Sequence, residues 1–387
     1  MSQRNVRIVI AGFVTALLSI PAFAQAPPRP RPLGESKHDL ASFRRSGTDA
    51  VCYNRDMEPY TAVVDAHFHP RPFGGPAIPM PELTGYFDKL GVRFVVYMGI
   101  GQVLELSSGS TYYLSCVGTP AQPSIKNDFV NGMDLAAYAP KRVVILPSMT
   151  FMDLAHPDDI VDRIKLYDRE FPGMFRWAGE LNVMKQALVG NLHEPASLAN
   201  IDAWAPFMKI LRERNIPVTL HSDLGNDTNP TQYLFLMERV LKDYPDNKIV
   251  WAHMGLSKEL TKMDVGQHIA TMKRLLDQYP NLMLDISWDV LYNAYRPWGE
   301  MFVRFFNEYS TRILPGSVVA AGTKDYSKYE NEVEITGRVL RLLNDDAFRN
   351  IALGQNFFRF TGIDYQAPAV CKGATPAIPM AISSPAR

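Results

Sequence analysis

Eight short apolar runs, rich in β-branched and aromatic residues, recur along the chain with room for a helix between them, and this spacing limits the fold more than any other feature. They read TAVVDAHFH (61–69), VRFVVYMGI (92–100), RVVILPSMTF (142–151), MFRWAGELNV (174–183), IPVTLHSD (216–223), KIVWAHMG (248–255), LMLDISWDV and SVVAAGTKD (317–325). Near-continuous apolar content, in place of strict alternation, marks strands buried on both faces of a parallel sheet. Intervening segments such as APFMKILRERN (205–215), TQYLFLMERVLKDYP (231–245) and IATMKRLLDQYP (269–280) carry apolar residues at helical spacing and stop near Asn or Pro. The alternation predicts an α/β chain folded as a (β/α)8 TIM barrel in preference to an open doubly wound sheet.

Residues 1–24 read as an address. Arg4 and Arg7 precede an uncharged run from Ile8 to Phe23, and Ala22-Phe23-Ala24 has the form of a signal-peptide cleavage site. The run is short for a membrane span of roughly 20 residues, so cleavage before Gln25 and a secreted or periplasmic destination are expected. Cleavage removes two arginines and no acids from 40 basic and 40 acidic side chains, leaving a net charge of −2. That balance supplies no basic stripe for nucleic acid or anionic lipid. The expected partner is a small-molecule substrate, with no stable membrane insertion after cleavage and homo-oligomerisation left open.

Residues 25–50 form a Pro-rich N-terminal segment, 51–365 the barrel domain and 366–387 a C-terminal tail; 25–36 and 366–387 are expected to be extended or disordered. The longest gap, between the second and third runs, is a candidate substrate lid. Cys52 precedes the first strand and Cys371 follows the last helix, which places both at the N-terminal face of a barrel, while Cys116 lies in the long loop on the opposite face. An oxidising compartment therefore favours a Cys52–Cys371 bridge with Cys116 free; three reduced thiols are the alternative.

The polar residues that end the runs carry the chemistry. His67 and His69 lie two apart on a strand and so project from one face, which makes half a metal site. Taken alone, a His-x-His is equally well explained by one ring capping the strand and the other facing solvent. His221, His253 and Asp325 end the fifth, sixth and eighth runs, where barrel enzymes place their working side chains. Four histidines and a carboxylate at C-terminal strand ends are hard to bury without a metal, and the ring nitrogens of His67 and His253 should then lie within about 8 Å of each other. Asp65 is expected to support the first histidine pair. Arg176, Asp223, Trp288 and Lys324 are candidate substrate-binding residues, and His38, His156, His193 and His268 are read as surface residues.

VVDAHFHP, IPVTLHSD, IVWAHMGLS and VVAAGTKDYS resemble the metal-binding strand ends of the amidohydrolase superfamily, in particular the amidohydrolase-related branch that includes relatives of aminocarboxymuconate-semialdehyde decarboxylase. IALGQNFFRFTGI (351–363) resembles that branch's closing helix with its Gly-x-Asn signature, although Gly322-Thr323-Lys324-Asp325 is one residue longer than the usual Gly-Ser-Asp. The resemblance implies that His67 and His69 bind the more buried ion. It also implies that His221 and His253 bind metal or a substrate oxygen, and that Asp325 ligates metal and takes a proton from water. Glu180 resembles the bridging glutamate of TatD-like hydrolases; substrate contact or a pair with Arg176 is its alternative. The set implies one or two divalent ions, zinc being the expected one, with Asp325 and His253 catalytic. Hydrolysis of an amide, ester or lactone-like bond follows. Non-oxidative decarboxylation is the second reading, and an inactive ligand-binding barrel the third.

Overall fold

The apolar runs supply the strands of a single parallel sheet in a computed structural model that describes residues 38–46, 52–55, 62–71, 77–105, 116–288, 299–319 and 326–372. The strands are β1 (Val64–Phe68), β2 (Phe94–Met98), β3 (Val144–Met149), β4 (Trp177–Met184), β5 (Val218–Ser222), β6 (Ile249–Trp251), β7 (Leu282–Asp285) and β8 (Ile313–Leu314). Each pairs in parallel with the next in chain order. Beyond β8 the chain returns to β1: Ala66 N donates to Pro315 O (2.9 Å), Val318 N to His67 O (2.7 Å) and His69 N to Val319 O (2.9 Å). These bonds close the sheet into the expected (β/α)8 barrel.

The eighth strand lies earlier than its apolar run implied. Pro315 has no N–H to extend the ladder, and Gly316 is wedged where a Cβ would come within 2.8 Å of His67 Cβ, so the regular strand stops at Leu314. Residues 315–319 continue as irregular backbone, and 320–325, with Lys324 and Asp325, lie outside the described residues.

A long helix follows each strand: α1 (Met80–Leu90), α2 (Lys126–Ala137), α3 (Ile160–Glu170), α4 (Ala205–Glu213), α5 (Leu234–Asp243), α6 (Val265–Gln278), α7 (Gly299–Glu308) and α8 (Tyr326–Leu340). Their apolar residues fall on one stripe; α6 buries Ile269, Met272, Leu275 and Leu276 against the sheet. Two further helices, α9 (Asp345–Ile351) and α10 (Gln355–Thr361), close the N-terminal end of the barrel. The Gly-x-Asn signature works there structurally. Gly354 holds φ +84° where a Cβ would meet Val64 at 2.6 Å, and buried Asn356 donates from Nδ2 to Ser310 O (2.7 Å) and Ile313 O (2.8 Å).

Residues 366–372 pack more closely than their composition predicts, while 25–36 and 373–387 lie outside the described residues. Phe43 is buried against Phe94 and Phe358, Gln366 N donates to Phe43 O (2.7 Å), and Cys371 N donates to Tyr53 O (3.0 Å). Cys52 and Cys371 form a disulfide, and Cys116 is free. Residues 366–372 are thus held to the barrel, not extended from it. Among the described residues no helix is long and apolar enough to cross a membrane.

Candidate metal centre

Four imidazoles and one carboxylate meet at the C-terminal mouth of the barrel. His67 and His69 come from β1 and the residue after it, Glu180 from β4, His221 from β5, and His253 from the turn after β6. Glu180 is aimed by a break in strand register: the β4–β5 pairing shifts between Ala178 and Leu181, and such a bulge re-aims the side chain. Only glycine fits at 179, where φ is +107° and a Cβ would stand 2.2 Å from Thr219 O. His253 and Met254 both take left-handed backbone (φ 54° and 52°), a strain of about 1–2 kcal/mol each that swings the His253 ring back over the mouth.

Glu180 lies between two pairs of rings. Its Oε2 is 3.7 Å from His67 Nε2 and 3.6 Å from His69 Nε2. Its Oε1 contacts His221 Nδ1 and is 3.7 Å from His253 Nε2. One donor atom from each of His67, Glu180 and His253 falls within a 4.8 Å cluster.

The outward nitrogens decide what the inward ones can do. His67 Nδ1 faces Asp285 Oδ2 (2.6 Å), and His69 Nδ1 faces the carbonyl of Gly99 (3.0 Å), so both Nδ1 atoms donate. Ser287 Oγ gives its hydrogen to Asp285 Oδ2 (2.8 Å) and must therefore accept from His253 Nδ1 (3.0 Å). His221 is turned the other way, its Nε2 donating to Asp223 Oδ1 (2.8 Å). Were all four rings neutral, they would aim four lone pairs at one carboxylate and leave His67 Nε2 and His69 Nε2, 3.1 Å apart, with no proton between them. Only a cation or an added proton makes such an arrangement stable, so the donor set fits a divalent metal bound by nitrogen and oxygen.

The charges agree with this account except at His221, where burial and Lys185 would lower the ring but Glu180 and Asp223 outweigh them and raise it. Burial alone would raise Glu180, but Lys185, with Nζ 3.2 and 3.3 Å from its two oxygens, and the neighbouring imidazoles hold it well below the ordinary carboxylate range. Burial lowers His69, and lowers His253 to about 4, keeping both rings neutral. Burial would lower His67 too, yet Asp285 and Glu180 outweigh it and push the ring up to about 9. Without a metal His67 therefore carries the proton that separates it from His69, and an incoming cation replaces that proton.

The centre forms the floor of a cavity of about 270 Å3 walled by Gly99, Gln102, Thr150, Lys185, His193 and Trp288. Trp288 stands against His253 with ring centroids 5.0 Å apart. Asp223 is not in the cavity wall; it lies behind His221 and accepts from Gln186 N (2.7 Å). Arg176 is exposed at the opposite end of the barrel, because it precedes the first residue of β4, and Glu180 pairs with Lys185 in its place. Asp65 supports backbone, not the imidazoles: it accepts from His67 N (3.2 Å), Ser317 N (2.9 Å), Ser317 Oγ (2.7 Å) and Tyr329 Oη (2.9 Å). His156 is exposed, but His38, His193 and His268 are buried, contrary to their surface reading. Asp285 and Lys185 were missed. Asp285 closes the apolar run LMLD in the manner of the histidines, a signal that was there to use.

A family model described as amidohydrolase matches residues 64–309. The chain belongs to the amidohydrolase family. Among solved structures, this amidohydrolase is similar to amidohydrolase 2 from Bifidobacterium longum subsp. infantis (15% identity, 78% of this chain and 98% of that one, TM-score 0.41). It is also similar to a zinc-bound amidohydrolase from Burkholderia multivorans (13% identity, 78% and 99%, TM-score 0.49). A third is dihydroorotase from Saccharomyces cerevisiae in complex with 5-fluoroorotic acid (14% identity, 78% and 84%, TM-score 0.46). No curated protein matches the chain significantly.

Proposed function

We propose that this amidohydrolase is a metal-dependent hydrolase that directs water at an amide, ester or lactone-like bond of a small molecule. The observation that carries the reading is the convergence of four imidazoles on Glu180 at the floor of the mouth cavity. The chemistry supplied by a divalent cation in such a site is Lewis acidity, which brings the pKa of water down toward about 7 and polarises a substrate oxygen. Zinc suits the donor set, and Glu180 is proposed to bridge two ions, as in TatD-like hydrolases, because each of its oxygens faces a separate pair of rings. Asp325 is the proposed proton acceptor, passing the proton to the leaving group, in keeping with the strand-end pattern of the amidohydrolase-related branch. Lys185 stands beside Glu180 at the cavity wall, where its N–H groups meet oxygen on the substrate. The disulfide between Cys52 and Cys371 supports export after removal of residues 1–24.

Carboxy-lyase activity is the second reading, favoured by Lys185, Lys258 and Lys328 around the cavity, which would seat a carboxylate. Metal analysis of the purified protein and turnover of a substrate library in 18O-labelled water test both. Hydrolysis puts solvent oxygen into the product, and chelation abolishes it. Release of carbon dioxide without solvent oxygen in the product would replace the hydrolase reading with the second.

A further inference from the structure

Glu180 and Asn182 both turn into the mouth cavity from β4, while Leu181 between them is buried on the other side of the strand. Asn182 stands in register with His221 on β5, at the level of the ring cluster. Both side chains are half-buried, but their surroundings differ. Glu180 is held by Lys185 and His221, whereas the Asn182 amide makes no side-chain hydrogen bond among the described residues.

The two ends of that amide are not equivalent. Asn182 Oδ1 is sealed in the wall, whereas Nδ2 is not sealed and reaches the cavity that the side chain lines. An amide nitrogen can only donate, and the nearby wall carboxylates are already engaged: Glu180 by Lys185 and His221, and Asp153 by Ala155 N (3.1 Å) and His156 Nδ1 (2.9 Å). The sense of the amide also suits its setting, since its NH2 end faces the space that the Glu180 carboxylate lines. A polar group left open in a substrate cavity is met there by water or by a ligand atom of the opposite kind. Lys185 has the same capacity: an ammonium carries three N–H groups, and its contacts with Glu180 (3.2 and 3.3 Å) use at most two.

The geometry points to Asn182 as a hydrogen-bond donor to an anionic oxygen of the substrate, given from Nδ2 at the cavity floor two residues along the strand from Glu180. Two sources present that chemistry: a carboxylate carried by the substrate, and the oxyanion that forms at the carbon attacked by water. In either case the donor is neutral, preset by the strand and free of any bond that has to be broken first, which is the condition under which one hydrogen bond contributes most to binding a charged oxygen. The inference rests on the proposed function in taking this cavity as the substrate site.

The test uses the full chain after signal removal, loaded with zinc, with methylphosphonate as a tetrahedral oxyanion probe and acetate as a planar carboxylate probe. Asn182→Leu removes the donor, and Asn182→Asp keeps its volume while setting an oxygen in its place. Calorimetric titration is expected to show binding weakened about ten-fold in the Leu variant, the loss of one hydrogen bond to a charged group, and weakened further in the Asp variant. A larger loss with methylphosphonate assigns the oxyanion as the source, and a larger loss with acetate assigns the carboxylate. In the NMR spectrum of the unaltered protein, one proton of the Asn182 side-chain NH2 is expected to move downfield as the probe is added. Affinities unchanged by both substitutions, binding of neither probe, or an Asn182 NH2 signal that stays in place at saturation would each overturn the assignment. The NMR measurement needs no variant, so a variant that fails to fold leaves it decisive. Zinc content measured on the same samples tests the metal centre separately: a protein that takes up no zinc removes that centre, while the Asn182 signal still decides the donor.

Discussion

Replacing Asp285 by Asn hardly changes volume, yet it is expected to weaken metal binding more than deleting the side chain does. Asp285 Oδ1 accepts from Ser287 N (2.7 Å), and Oδ2 accepts from His67 Nδ1 (2.6 Å) and Ser287 Oγ (2.8 Å). In the Asn variant the backbone N–H of Ser287 keeps the amide oxygen at the first position, so the amide NH2 takes the second and points a donor at His67. His67 Nδ1 must then accept, its proton moves to Nε2, and an N–H replaces the lone pair that faced the centre. Partners that orient a metal histidine are worth about 10–100-fold in affinity, or about 1.4–2.7 kcal/mol. Asp285→Ala leaves His67 free to choose its tautomer beside water, so its loss is expected to be smaller. Metal content after dialysis against graded chelator concentrations measures all three proteins. An Asn variant as tight as the unaltered protein, or an Ala variant weaker than the Asn variant, would refute the tautomer argument.

Three further outcomes are expected. Glu180→Gln removes the negative charge at the middle of the cluster, and metal content per chain is expected to fall from two to one; two retained equivalents would remove the bridge. Burial raises Asp128 to about 6 despite hydrogen bonds from Thr150 and Tyr167. A raised folded-state pKa contributes stability that is complete below the ordinary value of 3.8 and is lost as pH climbs through about 6, here about 3 kcal/mol. Asp128→Asn escapes that loss, so its urea-unfolding stability relative to the unaltered protein should rise across this interval; parallel curves would show that Asp128 is not the titrating group. Finally, Cys52→Ser opens a bridge spanning 319 residues and is expected to cost about 2–5 kcal/mol in the oxidised protein, with no loss under reducing conditions.

The barrel could be read from the sequence because burial on both faces leaves its mark residue by residue, and all eight runs reach the sheet or the backbone that closes it. What failed was local. SVVAAGTKD looks like strand, but Pro315 and Gly316 had already broken the ladder, and that effect depends on the neighbour β1, which no local pattern shows. The positions of His67, His69, His221 and His253 were legible for the same reason as the strands: each follows an apolar run, and the barrel gathers run ends at one mouth. Arg176 was misread because it stands at the start of its run, which the barrel sends to the opposite face. His193 and Gln102 sit in loops, where no periodicity records that two segments 91 residues apart are bonded to each other.

Charge balance extends the account to the number of ions. Around the four rings the described residues place three carboxylates, Glu180, Asp223 and Asp285, and one ammonium, Lys185, a net charge of −2 in a buried setting. One divalent cation neutralises that charge, and buried charge is tolerated only when it is balanced. A second cation therefore needs two further negative charges. Asp325, the proposed proton acceptor, would supply one of them, and an anionic group on the substrate the other. A centre of two ions would need anions beyond the three carboxylates that the described residues place at the rings, whereas a centre of one would need none. Metal stoichiometry in this protein is in that sense a reading of its chemistry and not merely of its ligand count.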